Sequence, residues 1–553
     1  MRRTICLLLL FLFIVGLPVL TYAQEGTLNV RGLGNVSTYN FILNSDGASF
    51  GAYALLWPSA FRPDPFTSEW VPSLTSWEIS EDGLTYTFHI REDANWSDGV
   101  PISSADIKFV IDAIQSDLVP SPHTDEVNSI VAVNIIDDKT YELVLDQPNC
   151  AALGDFFGIR FMPSHRFAAD FSDMETNPLN TFPDISGGPF ILEEIVPDSF
   201  QRYRANPDYY EGPPGVATLI NHVLENNELM LLAIEAGEID YANMQGDIFQ
   251  QLSQSARDEL QVQFFPANSL GFVLINWADP ENPQPAYDDG GNLIEQDPHP
   301  IFTDINVRKA IAMGFSVEDI MATLGENGAT RALSVVAPAA SWAFNADIEP
   351  YPYDPDAAIA LLEESGWVDS DGDGVREKDG QLLEFTVSYS DIVNYFETTS
   401  IIMQDQLSQI GFQVNVEQVE WSTYLNDVFR GQRFDVTPIS FTVPSAPDPD
   451  QFTTLVRSSN DVPGSGNNVS SYINLRTDEL IDAGVRVPGC DNEARAEIYH
   501  ELQQILYEDV AIHFTLSPSF YQLAANHVGN FVPGAAWAFY GYLEWLQTWT
   551  VDQ

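Results

Sequence analysis

The segment of this sequence best suited to chemistry is an acidic loop at residues 369–377. It reads DSDGDGVRE, which places Asp369, Asp371 and Asp373 at loop positions one, three and five, a glycine at position six and Glu377 at position nine. This spacing is typical of a calcium loop of the EF-hand type, although Gly380 stands where the twelfth-position glutamate is expected. The four carboxylates therefore predict a structural calcium site, and the alternative is a tight acidic turn between a helix and a strand.

Signatures of catalysis are otherwise missing from the sequence. It has no G-x-S-x-G, G-x-x-x-x-G-K-[ST], H-E-x-x-H or C-x-x-C motif, and its eight histidines lack metal-ligand spacing. Carboxylates are so frequent, at 80 Asp and Glu residues, that no single pair of them is informative. An extracellular glycoside hydrolase with two carboxylates and a tryptophan-lined groove stays open as an alternative, and so does a calcium-stabilised adhesion protein.

Tryptophans are the second group of candidate functional residues. Five of them fall in loops or at the ends of elements, where an indole ring can line a cleft: Trp57, Trp277, Trp342, Trp421 and Trp537. Packing in a hydrophobic core is the alternative for each of these side chains.

The composition excludes several classes of partner. Only 23 Lys and Arg residues oppose the 80 acids, so the formal net charge is −57, which repels nucleic acids and anionic lipid surfaces. A hydrophobic content of 45% and an aromatic content of 12% exclude a disordered acidic chain. The excess of acid is interpreted as a property of a surface exposed to a saline medium, where salt screens self-repulsion.

The first 23 residues predict a secretory signal peptide. Arg2 and Arg3 precede a long apolar run, and Thr21-Tyr22-Ala23 provides a cleavage site. An uncleaved membrane anchor is the alternative. Cys6 lies inside the apolar run, so a lipid-modified cysteine is not expected. The mature protein is expected in the periplasm or on the outer face of the cell envelope.

Hydrophobic periodicity indicates a mixed α/β protein. Strands are predicted around residues 84–90, 141–145, 412–416 and 510–516, and helices at 103–114, 354–365, 398–410 and 493–508. Asp354 followed by Pro355 is a helix start, and Ser103 with Asp106 forms a capping box.

Several segments, taken in order, carry a resemblance to a known family. They are 82–91 (DGLTYTFHIR), 96–107, 188–190 (GPF), 206–210 (NPDYY), 236–240 (AGEID), 307–311 (VRKAI), 353–367, 411–421, 448–450 (DPD) and 503–506. In this order the chain resembles the family 5 extracellular solute-binding proteins, the dipeptide- and oligopeptide-binding receptors of bacterial ABC importers.

The resemblance implies a two-lobed α/β fold of the periplasmic-binding-protein type (type II, cluster C), with a ligand cleft between the lobes. Lobe I would span residues 24–280, with an inserted subdomain at about 49–185, and lobe II residues 281–512. Residues 513–553 would return to lobe I, and the chain would cross near 274–279 and 512–517. In this layout a bridge between Cys150 and Cys490 would join opposite lobes and oppose opening, so the two cysteines are expected to be free.

The resemblance also implies function: a monomeric, non-catalytic receptor that captures peptides or similar small solutes and delivers them to a permease, without nucleic-acid partners. An oligosaccharide is the alternative ligand. In peptide-binding relatives an Asp shortly before the Asp-Pro-Asp segment holds the peptide ammonium group, and here Ser445 stands at that place. The candidate ligand-binding residues are Trp421, Ser445 and Asp448 on lobe II, Tyr39, Asn40 and Trp57 on lobe I, and Asn276 and Trp277 at the first crossing. No cofactor is expected besides the calcium ion.

Overall fold

The computed structural model describes residues 26–551, except residues 33, 45, 68, 225, 289, 391–392, 444–447, 533–542 and 544. The predicted signal peptide, Ser445 and Trp537 therefore lie outside the described residues.

The first half of the chain is rich in strands. They are β1 (Thr27–Gly32), β2 (Phe61–Pro63), β3 (Trp70–Pro72), β4 (Thr75–Ile79), β5 (Thr85–Ile90), β6 (Ile130–Asp137), β7 (Thr140–Leu145), β8 (Phe190–Val196), β9 (Phe200–Ala205), β10 (Thr218–Val223), β11 (Tyr241–Gln245), β12 (Leu260–Pro266) and β13 (Ser269–Ile275). The helices are α1 (Gly47–Tyr53), α2 (Ser104–Ile114), α3 (Thr124–Val127), α4 (Ala152–Gly158), α5 (Asn227–Glu235), α6 (Gly246–Phe249) and α7 (Gln254–Asp258).

The second half contains the longer helices. They are α8 (Ile305–Gly314), α9 (Val317–Thr323), α10 (Pro355–Glu364), α11 (Asn394–Ser408), α12 (Trp421–Thr423), α13 (Leu475–Gly484) and α14 (Asn492–Asp509). The strands are β14 (Ala329–Arg331), β15 (Glu377–Lys378), β16 (Gln381–Leu382), β17 (Glu384–Tyr389), β18 (Gln413–Gln418), β19 (Val436–Thr442), β20 (His513–Ala525), β21 (Val528–Gly529) and β22 (Thr550–Val551).

Local sequence signals explain where several helices begin. Ser103 and Asp106 form the expected reciprocal capping box at the start of α2. The Asp354 side chain accepts a hydrogen bond from the Ala357 amide at the start of α10, with a proline in the first turn. Helix α11 begins at Asn394, four residues before the predicted start.

One long mixed sheet runs through the molecule. Its strand order is β18-β17-β19-β13-β20-β11-β1-β10-β9-β8, and β12 and β14 also pair with β20. Strand β20 pairs with β13 near residues 513–516 and with β11 and β12 near residues 519–525. This one strand therefore connects the two halves of the sheet. A separate four-stranded antiparallel sheet, β4-β5-β7-β6, packs with α2 in the region of the predicted subdomain.

The hydrophobic residues form two large cores and a small one. The first core uses residues between 28 and 219, Tyr241, and residues from 524 to 549, and the small core combines residues 230–262 with Tyr521 and Leu523. The second core uses residues between 270 and 516. We call the part built on the first and small cores lobe I and the part built on the second core lobe II. The two-lobed α/β fold is thus the one predicted.

The chain passes between the cores at two places. The first is the turn between β12 and β13, because Leu270 to Ile275 already belong to the second core. This is a few residues before the expected stretch 274–279. The second lies within β20, between Leu516 of the second core and Tyr521 of the small core.

The expectation that the two cysteines are free is wrong. Cys150 and Cys490 form a disulfide with their Cα atoms 5.2 Å apart. Lobes that move relative to each other were expected to lack a covalent connection, and the structure joins them.

Among the described helices, none has the length and apolar character that crossing a membrane requires.

Candidate functional site

A cavity of about 260 Å³ lies where the two lobes meet. Lobe I contributes the end of β11 and the start of α6, whereas lobe II contributes the end of β19 and the start of α11. The polar lining residues are Gln245, Ser269, Ser440, Thr442 and Ser519. The other lining residues are Gly246, Leu324, Gly328, Val393, Tyr395, Pro518 and Phe520.

The end of β19 presents main-chain groups on the cavity side. Val443 N donates to Asn268 O, and Asn276 N donates to Asp435 O, so the odd-numbered residues of this strand face β13. The even-numbered residues therefore direct their N–H and C=O groups to the opposite edge. The Tyr424 hydroxyl donates to Pro438 O, as this alternation requires.

Among the described strands, none pairs with that opposite edge at the cavity. Strand β17 pairs with β19 only at Val387 and Val436, so in the described part of the sheet no strand continues beside Ser440 and Thr442. Both residues line the cavity. An extended chain placed there can add to the sheet through main-chain hydrogen bonds.

The described cavity lining is uncharged. It contains no Asp, Glu, Lys, Arg or His side chain. Burial raises the pKa of Tyr395 to about 12, and the neighbouring Ser440 side chain opposes this shift, so the phenol stays neutral at physiological pH. Ligand selection at the described lining therefore depends on hydrogen bonding and shape.

Trp421 is not among the residues that line this cavity. It is the first residue of α12 and stacks on Tyr424, with ring centroids 5.7 Å apart. Its ring is half-buried against the second core. Ser445 belongs to the segment between β19 and Asp448 and lies outside the described residues.

Asp448 faces a second cavity, of about 300 Å³, on another part of the boundary between the lobes. Its Oδ1 accepts a hydrogen bond of 2.9 Å from Nη2 of Arg495, whose side chain is only 3% exposed. Burial lowers the pKa of Arg495, but Asp448 and Tyr499 together outweigh burial and hold the pKa above its ordinary value. Burial, followed by repulsion from Asp448, raises the pKa of Asp450 to about 6. The negative charge of Asp448 is thus paired with the positive charge of Arg495.

The three lobe I candidates lie in the first core instead of lining a cavity. Tyr39, Asn40 and Trp57 are each at most 1% exposed. Asn40 accepts from the Ile42 amide and donates to Asn180 Oδ1, and Trp57 Nε1 donates to the Tyr39 carbonyl. Burial of this kind cannot be recognised from residue type alone.

The two candidates at the crossing have structural contacts as well. The Asn276 side chain donates to the carbonyls of Gln432 and Phe434 and accepts from the Ala278 amide. The Arg308 guanidinium lies 3.6 Å from the centroid of the Trp277 ring, which also packs edge-to-face on Tyr472. These contacts fix the segment that follows β13 inside lobe II.

The predicted calcium loop brings three carboxylates together. One oxygen each of Asp369, Asp371 and Asp373 lies within 4.8 Å of the others, and all three residues are exposed. Glu377 is not part of this group, because its carboxylate accepts hydrogen bonds from the backbone and hydroxyl groups of Ser370. Oxygen ligands of this kind suit Ca²⁺.

The residues that line the first cavity were not predicted from the sequence. Ser440, Thr442 and Tyr395 belong to no motif, and main-chain groups leave no trace in residue types. Pro438 was the one available signal. A proline has no N–H to donate, so its nitrogen must lie on the edge of the strand that does not pair with a neighbouring strand.

Comparison with known proteins places the chain in a family. Residues 69–464 match the family model "Bacterial extracellular solute-binding proteins, family 5 Middle". The oligopeptide-binding protein AppA of Bacillus subtilis is 22% identical over 505 residues, covering 90% of this chain and 87% of the relative. The dipeptide-binding protein of Escherichia coli is 24% identical over 535 residues, covering 91% of both.

The fold agrees with a solved structure. The structure of AppA from Bacillus subtilis in complex with a nonapeptide has a TM-score of 0.64 and 21% identity, covering 96% of this chain and 99% of that one. Since the matched family model spans most of the chain and consists of receptors, the hydrolase alternative is not supported. The chain belongs to family 5 of the bacterial extracellular solute-binding proteins, the non-catalytic, extracytoplasmic solute receptors of ABC importers.

Proposed function

We propose that the solute is a peptide, bound as an added strand at the open edge of β19. The observation that carries the proposal is the pair of main-chain positions, Ser440 and Thr442, which face a cavity between the lobes. A peptide provides N–H and C=O groups at the spacing that such an edge requires, whatever its side chains are. The names of the relatives, which bind oligopeptides and dipeptides, support this choice of ligand.

The charge distribution supports main-chain recognition. Although the chain carries a net charge of −57, the described lining has no carboxylate to hold an ammonium group. A peptide ammonium buried without a partner would lose several kcal/mol of binding free energy. We therefore infer that the peptide terminus reaches solvent, and that binding does not depend on a cationic ligand.

The receptor acts as a monomer that docks on permease subunits at the membrane, and it has no lipid attached through cysteine. This part of the proposal rests on the position of Cys6 inside the apolar run and on the family to which the chain belongs.

Mass spectrometry of the compounds released from the purified protein by denaturation tests the proposal. We expect a mixture of short peptides, and trialanine and pentaalanine should bind in isothermal titration calorimetry. Release of an oligosaccharide, or a failure of both peptides to bind protein from which the native ligand has been removed, would overturn it.

A further inference from the structure

We propose that the Cys150–Cys490 disulfide limits how far the two lobes separate, so that the ligand is exchanged through a restricted opening. The limit on opening follows from the structure alone. Its effect on ligand exchange rests on the proposed function.

Each cysteine is fixed to a different lobe. Cys150 precedes α4, whose residues Leu153 and Phe156 belong to the first core. Cys490 lies between α13 and α14, whose residues Leu480 and Tyr499 belong to the second core. The disulfide is therefore a covalent connection between the lobes, joining positions 340 residues apart in the chain.

The disulfide lies outside the two strands through which the chain crosses. Those crossings, before β13 and within β20, are on paired neighbouring strands of the long sheet, and two such crossings form a hinge. The disulfide instead joins the subdomain that carries the four-stranded sheet to the loop before α14. A third connection away from the hinge strands restricts the rotation that the two crossings permit.

Non-covalent contacts also cross the boundary between the lobes beside the disulfide. Cys150 N donates to Val485 O over 2.8 Å, which is a direct backbone contact between the lobes. Beside it lies the second cavity, where Trp70 and Trp77 of lobe I face Trp342 and Asn492 of lobe II. Such non-covalent contacts can break as the lobes separate, whereas the covalent bond holds, so the disulfide sets the limit of separation.

The disulfide is also connected to the edge of the candidate site. Arg495 lies on α14, which begins two residues after Cys490, and its guanidinium holds Asp448. Gln451 accepts hydrogen bonds from the Asp448 amide and from the side chain of Asn268, the residue before β13. Separation of the lobes at Cys490 would therefore act, through these contacts, on the strands beside the cavity, which connects the disulfide to ligand binding.

Small-angle X-ray scattering of the ligand-free protein tests the restraint. We expect the radius of gyration to increase when wild-type protein is treated with dithiothreitol, and the double variant Cys150→Ser/Cys490→Ser to show the larger value from the start. The double variant should not respond to dithiothreitol, which makes it the control for reduction elsewhere. Circular dichroism shows whether the double variant is folded. If it is unfolded, the radius of gyration of wild-type protein treated with dithiothreitol under native conditions decides whether the disulfide restrains the lobes.

Dissociation of a fluorescent derivative of pentaalanine provides the second readout. The rate constant for dissociation of the derivative should be about tenfold larger for the reduced protein than for the oxidised protein, which lies within the usual range of coupling between two sites. An unchanged radius of gyration in the folded, reduced protein would overturn the restraint. If pentaalanine binds neither form, the proposed function fails, whereas the scattering comparison still decides whether the lobes are restrained.

Discussion

At the scale of single residues, the ion pair between Asp448 and Arg495 is sensitive to substitution because both side chains are buried. The two side chains are 11% and 3% exposed. Removing one partner therefore leaves the other charge buried and without its ion-pair partner. We expect Asp448→Ala to lower the free energy of unfolding by about 3 kcal/mol. Urea denaturation monitored by circular dichroism measures the change.

The matched control is Asp482→Ala, which removes a carboxylate from the exposed pair with Arg457. That pair is 41% and 27% exposed, and we expect a loss of at most about 1 kcal/mol. Equal losses in the two variants would contradict the assignment of a structural role to Asp448.

A second buried carboxylate gives a dependence on pH. Asp461 is 1% exposed, and burial raises its pKa to about 6 in spite of hydrogen bonds from Gln432 and Ser471. In the unfolded chain the pKa of an Asp is about 3.9. Between about pH 3.9 and about pH 6 the folded state therefore binds more protons than the unfolded state, and the wild type loses stability as the pH rises through this range. Above pH 6 the whole penalty is present.

Replacement of that carboxylate by an amide removes the penalty. We expect Asp461→Asn to be more stable than wild type by about 2 kcal/mol at pH 7.5, with the difference shrinking below pH 6 and vanishing near pH 4. Thermal unfolding at several pH values measures it, with the exposed Asp405→Asn as control. A difference that stays constant from pH 4.5 to 7.5 would show that the effect is not electrostatic.

Residue types alone identified polar and aromatic candidates but not their surroundings. Asn40 and Asn276 look like ligand contacts in a sequence because amides often bind solutes, yet each has its hydrogen bonds with neighbouring protein groups. Long-range contacts decide this, and no local pattern records them.

At the scale of elements, the open edge of β19 makes the sharpest prediction. Thr442→Pro removes one cavity-facing N–H and leaves the bonds to β13 in place, since Pro438 already occupies an equivalent position in this strand. We expect a folded protein that binds trialanine roughly 10- to 100-fold more weakly, the cost of leaving a buried carbonyl of the ligand unpaired. Isothermal titration calorimetry measures the affinity.

Thr442→Val is the matched control for that strand edge. It removes the hydroxyl that donates to Ser269 Oγ but keeps the main-chain N–H, so trialanine should bind as it does to wild type. If the valine variant loses affinity and the proline variant does not, strand addition at this edge is wrong.

The acidic loop carries a proposal of its own, namely that it binds calcium. Asp369 already accepts hydrogen bonds from the Gly372 and Gly374 amides, which holds the loop in a compact form. With an affinity in the range of extracellular calcium modules, 10 mM Ca²⁺ should stabilise the protein by about 1.4–2.7 kcal/mol. Differential scanning calorimetry with calcium and with EDTA measures the shift.

Variants of this loop separate calcium binding from general effects of salt. Asp371→Asn/Asp373→Asn should abolish the shift, whereas Asp356→Asn, an exposed carboxylate in the first turn of α10, should retain it. Magnesium at the same concentration is the second control. A shift of equal size with magnesium, or in the double variant, would contradict a calcium site.

Elements were the scale at which the sequence was most informative. Helix starts with side-chain caps, such as Ser103 and Asp354, were predicted because the capping chemistry is local. The alternation of Tyr86 and Phe88 likewise placed β5. Which edge of β19 stays open was not predictable, because it depends on where β17 ends, about fifty residues earlier in the chain.

At the scale of the whole molecule, the order of weak motifs predicted the family and the two-lobed fold. The disulfide shows the limit of that reasoning. Its two cysteines belong to different lobes and come within bonding distance only in the folded protein, so the resemblance could describe the lobes but not this connection between them.

The net charge of −57 leads to the last prediction, which concerns the molecule as a whole. Self-repulsion among surface carboxylates destabilises the compact state and is screened as the Debye length falls from about 10 Å at 0.1 M salt to about 3 Å at 1 M. We therefore expect the melting temperature at pH 7.5, measured in EDTA to exclude calcium, to rise by roughly 3 °C from 0.05 to 0.5 M NaCl, the equivalent of about 1 kcal/mol. At pH 5, closer to the pI of about 4.1, fewer carboxylates are ionised and the rise should be smaller. A melting temperature that does not change with NaCl at pH 7.5, or one that rises equally at pH 5, would mean that the acid excess does not determine the stability of this receptor.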